Sequence, residues 1–287
     1  MERHLLVTIS EDKSALHGIR FVASFFQAKE NVRLTLFYTT SQPMTGEIVG
    51  FAEKAERERL QHAREARAQQ ALDQAVKTLV DLGFPAENIE ARLKFRKYTK
   101  GLDIINEAEQ GLYDAVVLGR RGLTALEELV ETSVSRELLT TRFGSPIWIC
   151  RMPETGRRNV LLCVDDSEQA MRMADHVGYI LANEPSHTVT LMNVFDPGSG
   201  DRPFAEALFA KARELLHDNG VADARIETRM VEAYNAPAAI MERSRDYAAV
   251  AVGRTGQSHG FLKRLFMGSV STVLFRQLTG AALWLQH

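Results

Sequence analysis

The chain is poor in cysteine and has no long uncharged apolar run, and both shortages exclude classes of protein. Two of its 287 residues are cysteines, Cys150 and Cys163, and each lies in an apolar stretch. We therefore expect buried thiols rather than a disulfide framework or a redox pair. Apolar runs such as Ser145 to Cys150 are far shorter than the ~20 residues of a membrane-spanning helix, so no membrane span is predicted.

A strong excess of one charge is also missing. The chain has 35 Lys and Arg against 37 Asp and Glu, a formal charge of −2. This balance gives no global field that would attract nucleic acid or anionic lipid. We expect partners to be recognised locally, including a protein partner that the sequence does not identify. The sequence enters a strand pattern at once, without a signal-peptide core, so the expected location is the cytoplasm.

Several catalytic patterns do not occur. The sequence contains no Gly-x4-Gly-Lys-Ser/Thr run, no His-Glu-x2-His, no paired cysteines and no nucleophile elbow. P-loop NTPase, metal-hydrolase and serine-hydrolase activities therefore have no residues to support them. We predict no metal ligand and no catalytic residue.

The sequence does contain an internal repeat. Leu34 to Tyr38 matches Val189 to Asn193 at an offset of 155 positions. Further on, Tyr113 to Gly122 matches Tyr247 to Gly256 at an offset of 134. The second copy therefore lacks about 21 residues between its second and third strands.

The repeat predicts two tandem domains, at residues 1–152 and 157–287, with a short turn-forming linker between them. Because the linker is short, we expect the two copies to pack as an intramolecular pseudo-dimer. The first copy's additional residues include a charged stretch from Thr45 to Gln70. Its pattern predicts a long, projecting helix with i,i+4 ion pairs, either simply solvated or used as a docking arm.

Each copy alternates strand-length apolar runs with helical periodicity, which is typical of βαβ units. The predicted fold class is α/β: two tandem open-sheet Rossmann-like domains, each a mostly parallel five-stranded sheet with helices on both faces. The predicted strands are 4–10, 32–39, 88–95, 114–119, 146–151, 158–165, 187–195, 224–231, 248–253 and 281–286. Helical stripes are predicted at Leu16, Ile19, Ala23 and Phe26, at Leu72, Val76 and Leu79, at Leu126, Leu129, Val130, Val134 and Leu138, and at Ala170, Ala174, Val177 and Leu181.

Glycines follow the fourth strand of each copy, and a Ser-Val-Ser helix start comes about ten residues later. In the second copy these are Gly253 and Gly256, then Gly268 and Ser269 to Ser271. Glycines allow close approach of a ligand, and amides at a helix start suit phosphate oxygens. The alternative is that the glycines turn the chain and the serines cap a helix.

On these residues the chain resembles a tandem universal stress protein. ATP-binding members of that family carry Gly-x2-Gly-x9-Gly-Ser/Thr after the fourth strand and an Asp at the end of the first. The second copy resembles this pattern at Asp165, Gly253, Gly256, Gly268 and Ser269, with Val194 at the second-strand end that meets adenine. Eleven residues rather than nine separate Gly256 from Gly268.

The first copy departs from the family pattern differently. It keeps the nine-residue spacing after Gly122, but Ser10 replaces the Asp and Thr132 the third glycine. A β-branched residue in a left-handed conformation is strained by roughly 1–2 kcal/mol. We therefore expect a degenerate first site.

The resemblance implies an ATP-binding regulatory or stress-response protein, with ATP held by the second domain, with or without Mg²⁺. Adenine is expected near Asp165 and Val194; an alternative role for Asp165 is to cap the helix that follows. The expected phosphate ligands are the amides of Gly256, Gly268, Ser269 and Val270, with the Ser271 hydroxyl nearby and Arg254, Lys263 and Arg264 as candidate counter-charges.

Two other functional hypotheses are consistent with the sequence. One is a nucleotide-free tandem interaction or scaffold module, and another is an enzyme, although no general base is evident and ATP hydrolysis would be slow. The resemblance also implies dimerisation through the last strands, which the tandem arrangement satisfies within one chain. A further homodimer remains an open question.

Overall fold

The computed structural model describes residues 2–41, 51–120, 144–199, 201–253 and 269–286. All the predicted strands are present, each with bounds within two residues of those expected. The strands are β1 (Arg3–Thr8), β2 (Val32–Thr40), β3 (Ile89–Phe95), β4 (Ala115–Gly119), β5 (Ile147–Cys150), β6 (Val160–Cys163), β7 (Val189–Phe195), β8 (Ile226–Glu232), β9 (Ala249–Gly253) and β10 (Ala282–Gln286).

Helices separate most of these strands. Those within the described residues are α1 (Leu16–Phe25), α2 (Phe51–Asp81), α3 (Lys100–Gly111), α4 (Glu168–Leu181), α5 (Arg202–Asp218), α6 (Ala236–Arg243) and α7 (Ser269–Gln277). The stripe predicted at Leu126 to Leu138 lies outside the described residues. Of the other stripes, the one at Ala170, Ala174, Val177 and Leu181 is wholly buried in α4.

All ten strands form one continuous sheet in the order β3-β2-β1-β4-β5-β10-β9-β6-β7-β8. Within each half every neighbouring pair is parallel. Where the halves meet, β5 and β10 pair antiparallel. The predicted fold class is confirmed: two Rossmann-like halves, each with a five-stranded parallel sheet.

The central strands are apolar because helices cover both of their faces. One hydrophobic cluster includes side chains of α1, α2, α4 and α5, and a second includes side chains of α3, α6 and α7. Alternate residues of a strand serve the two clusters: Val116 of β4 belongs to the second and Val117 to the first. Both are fully buried.

The long charged helix is present as α2. It has 31 residues, whereas α5 at the matching place of the second half has 17, which accounts for most of the length difference between the copies. Its C-terminal part packs on the core through Leu72 and Leu79. Its N-terminal turns are largely exposed and carry a Lys54–Glu58 ion pair at 3.9 Å.

Two tryptophans stack where the halves meet. Trp148 of β5 and Trp284 of β10 are register partners, and their ring centroids are 4.1 Å apart with nearly parallel planes. Both side chains are fully buried, and Phe21 and Phe25 of α1 contact them edge-on. The two tryptophans occupy equivalent positions of the repeat, so the pseudo-two-fold axis passes between them.

The surroundings of the two indoles differ. Trp148 Nε1 donates a hydrogen bond to His176 Nε2 at 3.1 Å. The repeat-equivalent of His176 is Phe21, which has no acceptor, and Trp284 Nε1 has no hydrogen-bond partner among the described residues. Because a buried donor without a partner costs stability, the interface favours His176 in its neutral form, as an acceptor. Burial lowers the pKa of His176 to about 3.

A buried carboxylate also joins the halves. Glu184, in the loop after α4, accepts hydrogen bonds from the backbone amides of Gln27 (3.0 Å) and Ala28 (3.4 Å) of the first half. Its backbone carbonyl in turn accepts from Arg225 at 2.7 Å. Since buried polar groups of this kind are costly to leave unpaired, this contact fixes the relative position of α1 and α4.

No helix in the described part of the chain is long and apolar enough to cross a membrane.

The buried His176 predicts a pH dependence of stability. Its pKa in the folded state is about 3 and its ordinary value is 6.5, so the unfolded chain binds the proton first as the pH falls. The stabilisation is complete above pH ~6.5 and decreases below it, by ~2 kcal/mol between pH 7 and pH 5. Urea unfolding of the wild type and of His176→Gln, which keeps an acceptor for Trp148, measures this difference.

The exposed His62 of α2 provides the control, because His62→Gln should leave the wild-type pH profile unchanged. His187, whose pKa burial lowers to about 4, contributes equally to all three proteins. Parallel stability profiles for the wild type and His176→Gln would contradict the assignment.

Candidate functional site

The strand order defines one crevice in each half. In the second half the chain runs from β6 outward through β7 to β8 and then crosses to β9 on the other side of β6. Ligands of open α/β sheets bind outside the carboxyl ends of the strands at such a switch point. We name the space beyond the ends of β6 and β9 the C-terminal crevice. Its counterpart beyond β1 and β4 is the N-terminal crevice.

Asp165 lies at the mouth of the C-terminal crevice, two residues beyond β6, and is exposed. Its Oδ1 accepts hydrogen bonds from the backbone amide of Ser167 at 3.0 Å and from the Ser167 hydroxyl. Ser167 is itself the N-cap of α4, and its hydroxyl oxygen accepts from the amide of Ala170 at 3.1 Å. Asp165 therefore supports the turn before the helix, and Ser167 is the cap.

Only one oxygen of the Asp165 carboxylate is used by this turn. Within the described residues, Oδ2 makes no hydrogen bond with another protein group. The carboxylate is thus held in one orientation with an acceptor available to a ligand. A carboxylate suits amino and hydroxyl donors, such as those of an adenine base or a ribose.

The backbone that carries Asp165 is tied to the neighbouring strand. The amide of Val164 donates to the carbonyl of Met192 at 2.9 Å. In the opposite direction, the buried Asn193 side chain donates to the carbonyl of Val164 at 2.8 Å. The loop between β6 and α4 therefore has little freedom. Asn193 is not among the residues predicted from sequence, although a polar residue inside an apolar strand is a visible signal.

Val194 follows Asn193 on β7 and is partly buried. It packs against the hydrophobic cluster of α6 and α7, as do Cys163 of β6 and Val270 of α7. Two predicted site residues, Val194 and Val270, therefore pack against the same hydrophobic cluster on one face of the sheet. The half-buried Cys163 thiol is kept protonated, since burial and the charge of Asp165 raise its pKa to about 12. Both cysteines are free thiols, as predicted.

Gly253, the last residue of β9, is required by packing. A Cβ atom at this position would lie 2.3 Å from the backbone nitrogen of Ala170. The matching Gly119 of the first half has the same constraint, with 2.3 Å to the carbonyl oxygen of Ser14. The end of the fourth strand thus lies too close for a side chain to the start of α4 in the second half and to the turn just before α1 in the first. This close packing is sufficient to explain why a glycine comes first in each loop, and no ligand needs to be invoked.

The helix start predicted to bind phosphate is the first turn of α7, which begins at Ser269. Val270 is partly buried and Ser271 is buried. The first amides of a helix have no partner within the helix, and the helix dipole favours an anion there. Gly256, Gly268, Arg254, Lys263 and Arg264 lie outside the described residues.

The N-terminal crevice has different polar groups. Ser10 stands in the place of Asp165, and its hydroxyl oxygen accepts from the amide of Asp12 at 3.3 Å. The next residue, Glu11, accepts from the Tyr38 hydroxyl at 3.2 Å. Burial and the Glu11 charge raise the pKa of Tyr38 to about 12. Thr132 lies outside the described residues.

An open groove of about 590 Å³ lies in the first half. None of the residues found along it is a predicted nucleotide ligand, and we assign it no ligand. The residues that line it are Asp12, Lys13, Ser14, Leu16, His17, Arg20 and Met152.

Comparison with known families identifies the chain. The model of the universal stress protein family matches it twice, over residues 1–142 and 156–280. The chain belongs to the universal stress protein family and contains two copies of its domain. A comparison with curated protein sequences found no match.

Similar solved structures have the same fold. A universal stress protein from Archaeoglobus fulgidus is 16% identical, with a TM-score of 0.69, over 99% of this chain and 95% of its own. A Pseudomonas aeruginosa protein of unknown function is 14% identical, with a TM-score of 0.53, over 99% and 92%. A universal stress protein solved in complex with cAMP is 22% identical, with a TM-score of 0.37, over 46% of this chain and 97% of its own.

The packing of Gly253 predicts the effect of adding one methyl group. Gly253→Ala places a Cβ atom against backbone of α4 and should lower the free energy of unfolding by about 1–3 kcal/mol. Gly144→Ala is the matched control, because a Cβ there meets nothing within 4 Å among the described residues, and it should change stability by less than ~0.5 kcal/mol. Chemical denaturation measures both, and equal stabilities of the two variants would contradict the packing argument.

Proposed function

We propose that the protein is an adenine-nucleotide-binding regulatory or stress-response protein and that ATP binds in the C-terminal crevice. One observation carries the proposal: at the switch point of the second half, an exposed carboxylate is held in a fixed orientation with one oxygen available. Membership in the universal stress protein family supports the choice of ligand class. The proposed ligand groups are Asp165 and Val194 for the nucleoside, with Gly253 forming the floor beside them.

The phosphates are proposed to bind at the start of α7. The proposed groups are the amides of Gly256, Gly268, Ser269 and Val270 and the hydroxyl of Ser271. In general, the first amides of a helix and the favourable helix dipole suit phosphate oxygens. Mg²⁺, if bound, would be held through the phosphates, as is usual for this ion.

The first half is proposed to be mainly structural. In its crevice the place of Asp165 is taken by Ser10, whose hydroxyl already supports a local turn. The carboxylate next to it, Glu11, is engaged by Tyr38. Losing one charged hydrogen bond weakens binding by roughly 10- to 150-fold. This half therefore lacks the acceptor on which the second-half proposal depends.

A nucleotide-free interaction module is the second candidate. The eleven-residue spacing between Gly256 and Gly268 favours it, because the family pattern has nine residues there. Packing also accounts for Gly253 without a ligand. The cytoplasmic location remains a prediction from the sequence. We propose slow hydrolysis at most, since we assign no general base.

The proposal predicts the effect of removing the Asp165 carboxylate. Asp165→Ala should weaken ATP binding by about 10- to 150-fold, the range for one charged hydrogen bond. Isothermal titration calorimetry with ATP measures the affinity, and nucleotide released from the denatured wild type shows what the purified protein retains.

Asp12→Ala is the matched control for this experiment. Asp12 accepts from the amide of Ser14 at 2.9 Å in the corresponding turn of the first half. Removing the Asp12 carboxylate disrupts the hydrogen bond of that turn but should leave ATP affinity unchanged. Equal losses in the two variants, or a wild type that binds no adenine nucleotide, would count against ATP binding in the second half.

A further inference from the structure

Two arginines of the first half contact the C-terminal end of α7 in the second half. Arg120 Nη1 donates to the carbonyl oxygen of Phe275 at 3.0 Å. Arg151 Nη2 donates to the same oxygen at 3.0 Å and to the carbonyl oxygen of Arg276 at 2.9 Å. We name these two side chains the arginine clamp.

The topology of the sheet creates this contact. Arg120 and Arg151 are the first residues beyond β4 and β5, which are paired in parallel with Gly119 opposite Cys150. Because β5 pairs antiparallel with β10, the carboxyl ends of β4 and β5 lie beside the start of β10. The chain enters β10 directly from α7, so the clamp reaches the last turn of that helix.

The chemistry of the contact suits a helix C-terminus. The last four carbonyl groups of an α-helix have no partner within the helix, and the dipole there favours a cation. Two guanidinium groups supply both donors and charge. The Arg120 guanidinium also lies over the Phe275 ring, with 3.4 Å from Cζ to the ring centroid. Since Phe275 is only 5% exposed, the helix end is held on its buried side as well.

The backbone that carries Arg120 is anchored in turn. Its amide donates to the carbonyl of Cys150 at 2.7 Å, and its carbonyl oxygen lies 2.9 Å from His17 Nδ1. The clamp is therefore attached to the sheet and to α1 of the first half. Partial burial of Arg151 lowers its pKa, although a guanidinium remains charged at all physiological pH values.

We propose that Arg120 and Arg151 are positioning residues for the phosphate site at the opposite end of α7. The inference rests on the proposed function. The helix has nine residues, a length of about 13 Å at 1.5 Å per residue, so a shift at one end is transmitted to the other. By fixing the C-terminal end, the clamp sets where the first amides of α7 point. The first half thus acts on nucleotide binding without binding nucleotide itself.

The test separates phosphate binding from base binding. Arg120→Met, Arg151→Met and the double variant keep the aliphatic stem and remove the donors and charge. Calorimetric affinities for ATP and for adenosine should diverge: ATP binding weakens by about 2- to 30-fold, as for other couplings through packed elements, and most in the double variant. Adenosine affinity should stay within about twofold of wild type.

The controls distinguish positioning from general damage. Arg33→Met removes a surface arginine of the same half that pairs with Glu90 at 3.7 Å, and it should change neither affinity. Near-ultraviolet circular dichroism of the stacked Trp148 and Trp284 reports whether the interface is intact. Arg120→Lys, which keeps the charge, should recover part of the ATP affinity; it also provides the comparison if the methionine variants unfold.

Results other than the expected one contradict either the positioning role of the clamp or the proposed function. Equal weakening of ATP and adenosine binding would make the clamp merely structural, and unchanged ATP affinity in the double variant would remove its role altogether. If the wild type binds ATP and the variants match it, only the positioning role fails. A wild type that binds no adenine nucleotide defeats this proposal together with the proposed function.

Discussion

The antiparallel pairing of β5 with β10 is the constraint on which the rest of the molecule depends. It joins two parallel five-stranded halves into one sheet, and the stack of Trp148 on Trp284 fills the centre of the joint. Because this pairing is antiparallel, the carboxyl ends of the two sets of strands lie at opposite ends of the sheet. The two crevices are therefore separated, and the residues that follow β4 and β5 in the first half contact the last turn of α7 in the second.

Duplication has kept the packing of the two halves and changed their polar groups. Gly119 and Gly253 have the same role in both copies, since the close approach of strand and helix leaves no room for a side chain. The crevices differ, with Asp165 in one and Ser10 in the other. The interface differs too, because His176 accepts from an indole where its counterpart Phe21 does not. The two halves therefore share their packing and differ in their polar chemistry.

Much of this fold was predictable from sequence, for a physical reason. Strands covered on both faces must be apolar throughout, so they appear as short apolar runs, and the repeat fixed their number. The contacts between the halves were not predictable in the same way. These contacts join residues more than 100 positions apart, and no local pattern encodes them: the Trp148–Trp284 stack, the hydrogen bonds that the Gln27 and Ala28 amides donate to Glu184, and the arginine clamp.

The candidate site was partly predictable. The place of Asp165 at the end of β6 followed from its position after an apolar run. The sequence did not show that Asp165 supports the turn while Ser167 caps α4. Gly253 was predicted as a ligand-facing residue, and its own packing against α4 emerges only in three dimensions. Asn193 is visible as a polar residue in an apolar strand, but a single strand does not show that its side chain reaches the neighbouring loop.

The position of the nucleotide can be determined from a crystal structure of the protein grown with ATP. We expect one nucleotide per chain, with its base beside Asp165 and Val194 and its phosphates at the first turn of α7, and no nucleotide beyond β1 and β4. A nucleotide in the N-terminal crevice, or a C-terminal crevice closed by the chain itself at saturating ATP, would contradict it.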